Sequence, residues 1–202
     1  MYAIVEDNNI TQYINNPKSV VIGDVRYPAK IFQLWSQSEL NAIGIYEVIT
    51  DSTNRKDEEY YINTNPSYTF EDGQVTESWG TATAKELEDR NATDEDGVEL
   101  NPIVVIEGLK TEKKKIVKAQ ASTLLERTDW HNHKSLDDDS YTIPDNIKTY
   151  RANVRAKSNE METQIDACNN VDELKTLYEY VNTGTEENPV YERPLAEFPK
   201  EI

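Results

Sequence analysis

A lone cysteine, Cys168, excludes an internal disulfide and any cysteine-based zinc cluster. Histidine is almost as scarce: a histidine general acid or base would have to be His131 or His133. The seven glycines stand singly, so there is no glycine-rich loop to cradle a phosphate, and no Gly-x-Ser-x-Gly elbow presents a serine nucleophile. No apolar run approaches the ~20 residues that cross a bilayer. The start, Met1-Tyr2-Ala3-Ile4-Val5-Glu6-Asp7, lacks the basic segment of a signal peptide. Positive charge is also short, with 21 Lys and Arg against 38 Asp and Glu, and the formal net charge of -17 opposes adsorption to nucleic acid or an anionic membrane.

What is present argues for a folded chain. The 202 residues are long enough to bury a core in one large or two small domains. Mean hydropathy is low, at -0.77, but three Trp and twelve Tyr argue against disorder. The expectation is an acidic, soluble protein made in a reducing compartment.

The first 83 residues read as a β-rich module. Tyr2 to Val5, Val20 to Ile22, Ile45 to Ile49, Glu59 to Ile62, Tyr68 to Phe70 and Val75 to Trp79 are apolar or β-branched runs. Asn8-Asn9, Asn15-Asn16-Pro17 and Asp72-Gly73 punctuate them, the last as a hairpin turn. Ser36-Gln37-Ser38-Glu39 spells a capping box for one short helix with Leu40 and Ile43 inward, and Trp35 is expected on or beside Leu40. Residues 84–108 read as an acidic linker or mobile loop, with a turn or two of helix around Ala84 to Arg90.

A helical domain is expected over 109–182. Ile116, Val117, Ala121, Leu124 and Leu125 form one stripe, and Ile147, Tyr150, Val154, Met161, Ile165 and Cys168 a cleaner one with a single gap. A third helix opens at Asn170 and turns Val171, Leu174, Leu177, Tyr178 and Val181 inward. Residues 183–202, with three prolines, read as an extended arm. The fold class is therefore α+β.

The candidate chemistry is thin. His131-Asn132-His133, near Asp137-Asp138-Asp139, could ligate a metal weakly, but a polar loop between helices is the plainer reading. Asp94-Glu95-Asp96-Gly97 fails as a calcium loop, because Ala92 and Ile103 stand where oxygen ligands are needed. Cys168 continues an apolar stripe and reads as core. Lys110, Lys113, Lys114, Lys115 and Lys118 lack interleaved aromatics and read as a solvated helix face or a patch meeting the chain's own acids. No catalytic residue, cofactor or metal is expected.

One succession carries a resemblance. Leu124-Leu125, Thr128-Asp129-Trp130, Ile143-Pro144, Tyr150-Arg151 and Val154-Arg155 follow in order, and Glu197-Phe198-Pro199 lies near the end. This resembles the C-terminal region of tail-fibre assembly and related tail-associated proteins of tailed bacteriophages, with Phe198 in place of a tryptophan. Leu34-Trp35-Ser36, Ile43 to Val48 and the Asp72-Gly73 turn are similar to small modules of phage tail proteins. The resemblance implies a virion structural protein of the tail, tail fibre or baseplate, made in the bacterial host cytoplasm. Other tail or fibre proteins and further copies of the chain would be its partners; a fibre-assembly chaperone is the alternative. Physically, Trp130 is large enough to close a helical hairpin, Asp129 can cap a following turn, and Arg151 or Arg155 can pair with Asp129. Tyr150 reads as core. Trp35, Asp129, Trp130, Tyr150, Arg151, Arg155 and Phe198 are thus interaction or structural residues.

Overall fold

Two compact units divide the chain, Met1–Thr83 and Ala84–Ile202, in a computed structural model that describes residues 1–202. The first is built mainly of strands and the second mainly of helices, an α+β composition.

Unit 1 begins with β1 (Tyr2–Glu6) and β2 (Asn9–Ile14). Asp7 and Asn8 between them both take positive φ, 50° and 60°, the paired conformation of a tight hairpin that Asp and Asn tolerate. There follow β3 (Val20–Ile22), β4 (Val25–Tyr27), α1 (Ile31–Leu34), α2 (Gln37–Ala42), β5 (Ile45–Asp51), β6 (Tyr61–Ile62), β7 (Ser67–Glu71) and β8 (Gln74–Ser78). Five strands form one mixed sheet in the order β2-β1-β5-β8-β7, with β5 and β8 parallel and the other neighbours antiparallel.

Period-two alternation along β1 divides the core. Ile4 faces one side and packs with Ile14, Val20, Ile31, Leu40 and Ile45, beneath the β3–β4 ribbon and the two helices. Ala3 and Val5 face the other side with Val75, beside Tyr46, Val48 and Phe70. The sheet curls toward this second side until its edge strands β2 and β7 approach, which brings the Tyr13 and Tyr68 rings to 4.7 Å. Small side chains at Ala3, Val5 and Val75 suit that tight concave face.

The capping box forms in full: Ser36 Oγ accepts from the Glu39 amide, and the Glu39 carboxylate accepts from the Ser36 amide. That places Leu40 in the core. Gly44, just past the helix, has φ of 83°, and a Cβ there would lie 2.7 Å from the Val5 carbonyl, so only glycine lets the chain turn directly into β5. Ser36→Ala is expected to cost unit 1 about 1 kcal/mol, read as a lower urea midpoint with an unchanged slope.

Several expectations for unit 1 are revised. A second short helix, α1, precedes the capped one. The Glu59 to Ile62 strand narrows to β6, and β2 and β4 occupy stretches not singled out from sequence. Trp35 meets the Tyr27 ring edge-on at 5.9 Å.

Strand β9 (Thr83–Ala84) lies at the division between the units. Unit 2 contains β10 (Arg90–Asn91), β11 (Val105–Ile106), α3 (Leu109–Glu126), α4 (Asp129–Asp137), α5 (Asp145–Asp166), α6 (Val171–Tyr178), β12 (Val181–Asn182) and β13 (Tyr191–Glu192). Its frame is the packing of α3 on α5.

The stretch expected as a linker, 84–108, is instead folded, and no helix forms around Ala84 to Arg90. Its two ends meet at the N-terminus of α3. The Leu109 amide donates to the Glu86 carbonyl at 3.0 Å, the Lys110 amide to Leu87 O at 3.1 Å, and the Gly108 amide to the Asp89 carboxylate at 2.8 Å. These acceptors serve donors that a helix start leaves without partners. Between the ends, β10 pairs with β11 and residues 90–106 form a hairpin arm.

The third expected helix stops at Tyr178; Val181 is exposed in β12, paired with β13. The C-terminal stretch is not a free arm. Leu195 is buried, and the Gln164 side chain bonds both Pro194 O and the Ala196 amide.

Candidate functional site

Of the residues that carried the resemblance, Leu125, Thr128, Asp129 and Arg151 meet at the junction between α3, α4 and α5. Arg151, in the second turn of α5 and buried, extends its guanidinium to three acceptors. It donates to Leu125 O at 2.8 Å, to Thr128 Oγ1 at 2.7 Å, and pairs with the Asp129 carboxylate at 2.7 Å. The planar fork of an arginine suits such a divided task. Of the two arginines offered for Asp129, Arg151 is the partner, while Arg155 is exposed on α5. Asp129 opens α4 as its first residue, and the residue before it, Thr128, makes no side-chain cap. Tyr150 packs with Ala121 and Val154, and Phe198 folds back onto this cluster.

Trp130 does not close the hairpin. It is 54% exposed and stacks on His131, with ring centroids 3.7 Å apart. The reason is helical phase. The stretch expected as a polar loop is α4, whose inward residue is His131, three positions after the buried Thr128 that precedes the helix. Trp130 falls beside that stripe. His131 is buried with its Nδ1 bonded to the Tyr141 hydroxyl, and Lys134 lies over the Tyr141 ring. His133 is exposed; two residues along a helix it points away from His131, so the pair cannot share one ion. No group of three His, Cys, Asp or Glu side chains converges to hold a metal.

The lysines of α3 meet the chain's own acids. Lys110 bonds Glu88 at 2.6 Å and the Asp166 carbonyl at 3.0 Å; Lys114 pairs with Asp166, Lys115 with Glu107 and Lys118 with Glu162. Lys113 lies over the Tyr178 ring. Lys110 and Lys113 are buried and take the core-facing phase of Val117, whereas Ile116, expected inward, is half exposed. Long methylene stems let lysines fill such positions while the amine reaches an acid.

An open cleft of about 530 Å³ lies between residues 84–88 and the start of α6, with Lys110 and Cys168 in its lining. The Lys110 amine is already committed. The Cys168 thiol donates to Gln164 O, and burial pushes its pKa up, so it is a poor nucleophile.

Asp89 ties the 84–108 stretch to the start of α3 through its charge. Its bond from the Gly108 amide, and secondarily that from Thr111, hold its carboxyl below the usual 3.8. A carboxyl depressed in the folded state stabilises above its unfolded pKa, and that contribution fades as pH falls through the folded value. Unit 2 should therefore lose stability below about pH 4. Asp89→Asn should flatten that part of a stability-against-pH curve followed by helical circular dichroism.

Large apolar side chains remain outside in both units. Val21, Val25 and Leu34 are exposed in unit 1; Val98, Ile103, Val104, Val105, Tyr180, Val181, Val190 and Tyr191 are exposed in unit 2. In unit 2 they concentrate on the 90–106 arm and around the β12–β13 hairpin. The chain matches no family model, no curated protein and no solved structure.

Proposed function

We propose that this chain is a structural component of a tailed-bacteriophage virion, in the tail, tail-fibre or baseplate region, made in the host cytoplasm and acting through protein–protein contacts. The observation that carries the reading is the distribution of apolar surface. Two hairpins of unit 2 and one ribbon of unit 1 hold valine, isoleucine and tyrosine side chains in solvent, and surfaces of that kind mark contact sites. The resemblance supplies the setting. Its motif residues, Thr128, Asp129, Tyr150 and Arg151, are engaged in holding the helices together, which suits a scaffold more than a catalyst. Neighbouring tail or fibre proteins and further copies of the chain are the partners; nucleic acid and membrane are not.

The motif also supports a second reading, a fibre-assembly chaperone that leaves before the particle is complete, since the segments quoted for it come from the helical half. Quantitative mass spectrometry on purified particles separates the two. A component is present at a ratio matching a tail symmetry; a chaperone occurs only in infected lysate. Absence from both overturns the phage reading.

A further inference from the structure

We propose that the acidic, apolar arm 90–106 of one copy docks on the basic, apolar β3–β4 ribbon of a second copy. The arm is held at its root and bare along its length. Its ends are fixed by the bonds of Glu86, Leu87 and Asp89 to the start of α3. Beyond them Ile103, Val104 and Val105 are 63%, 50% and 54% exposed. Ala92 near the root is buried, but these three side chains further along leave apolar surface in solvent. At the tip stand Asp94, Glu95 and Asp96, with Glu99 on the returning strand; Arg90 at the root is the arm's only cation. Asp94 Oδ1 accepts from the Asp96 and Val98 amides, which fixes the turn that displays these charges.

The β3–β4 ribbon offers the opposite character. From Asn8 to Ser38, Asp24 is the single acid against Lys18, Arg26 and Lys30. All three cations are exposed and none is in an ion pair. Val21 and Val25 are exposed beside them, and Leu34 of the following helix is 75% exposed. No third strand pairs with either edge of the ribbon, so its backbone groups are open to an added strand, and the arm's own ribbon is two-stranded as well.

Charge selects the occupant. Two copies at -17 repel each other over most of their surfaces. The other cationic stretch, α3, has its lysines engaged with Glu88, Asp166, Glu107 and Glu162. The ribbon is where unpaired cations and exposed valines occur together, and the arm is its complement in both respects. The contact joins unlike patches, so each copy keeps one arm and one ribbon for the next, giving a ring where the rotation closes and a filament where it does not. The inference needs only two copies of this chain and stands apart from the phage reading.

The test uses the full chain and two charge-swapped variants in sedimentation velocity and light scattering across a concentration series. One carries Lys18→Glu, Arg26→Glu and Lys30→Glu; the other carries Glu95→Lys and Asp96→Lys, which leaves the Asp94 carboxylate to hold the turn. Wild type should associate as concentration rises, and each variant alone should associate roughly tenfold more weakly or worse. An equimolar mixture should recover wild-type association, because acidic ribbon then meets basic arm. The arm variant is decisive: it is less negative overall, so general repulsion predicts stronger association and the docking predicts weaker. A chain that stays monomeric at about 100 μM, far above the Kd range of specific interfaces, overturns the proposal. So do variants that associate like wild type, or a mixture that recovers nothing. If circular dichroism shows either variant unfolded, Arg26→Glu and Asp96→Lys carry the same comparison singly.

Discussion

Arg151→Met should destabilise unit 2 by about 2–4 kcal/mol, the range for removing one side of a buried, hydrogen-bonded charge pair reduced for a half-exposed partner. The guanidinium is the one group that touches the end of α3, the residue before α4 and the first residue of α4 at once. Methionine fills much of its volume and supplies none of its donors. Leu125 O keeps a bond from the Thr128 amide, and the Asp129 side chain, 45% exposed, can take up water, so the loss stays below that of a fully buried pair. Arg151→Lys should recover part of the stability, since an ammonium keeps the charge but cannot span three acceptors. Asp129→Asn should cost less than about 1 kcal/mol, because the carboxylate is solvated. Urea unfolding followed at 222 nm, where the helices dominate, ranks the three variants. If Arg151→Met comes within 1 kcal/mol of Asp129→Asn, the guanidinium is not what binds the three helices.

Gly108→Ala should be comparably severe, for reasons of space. The backbone there is ordinary, with φ of -87° and ψ of 168°. A Cβ, however, would lie 2.4 Å from Leu87 O and 2.5 Å from both the carbonyl carbon and oxygen of Glu88. Those atoms are backbone and cannot rotate aside, so residues 86–89 must retreat from the start of α3. Their retreat breaks the bonds to Leu109 and Lys110 and strains the one to Asp89, a loss of about 2–4 kcal/mol. Hydrogen exchange should quicken at the Leu109 and Lys110 amides before the rest of α3. Gly97→Ala is the control: φ there is 79° and no atom lies within 4 Å, so the left-handed backbone alone should cost about 1–2 kcal/mol. Equal exchange at Leu109 in both variants would refute the steric argument.

Features encoded within a few residues were legible in the sequence. Asp72-Gly73 turned the chain, Ser36 and Glu39 capped a helix, and the α5 stripe ran from Ile147 to Ile165. The single gap in that stripe is Ser158, which is buried and bonds Glu162. Features held by non-local backbone contacts were not. Nothing in the residue types of Glu86 and Leu87 says that their carbonyls will cap a helix more than twenty positions on, so an acidic, turn-rich stretch read as a linker. Hydropathy placed Lys110 and Lys113 outward and Ile116 inward, the reverse of their phase relative to Val117. Helix α4 was hidden because His131, its inward residue, and Thr128 just before it are polar, and Trp130 drew attention by size alone. At the C-terminus three prolines suggested an arm, whereas Leu195 and the Gln164 side chain decide otherwise.

The parallel pairing of β5 with β8 bears on the order of assembly during synthesis. β1 and β2 join through a two-residue turn, and β5 can add to β1 as soon as it emerges. The free side of β5 then waits, since Val48 faces Val75, far downstream, and non-local pairs form late. Until the β7–β8 hairpin arrives, a nascent chain presents Val48 and Ile49 on an open edge. Crowded polysomes making many copies are thus most prone to strand exchange between neighbours in that interval, and slower translation through residues 52–74 should increase the aggregated fraction.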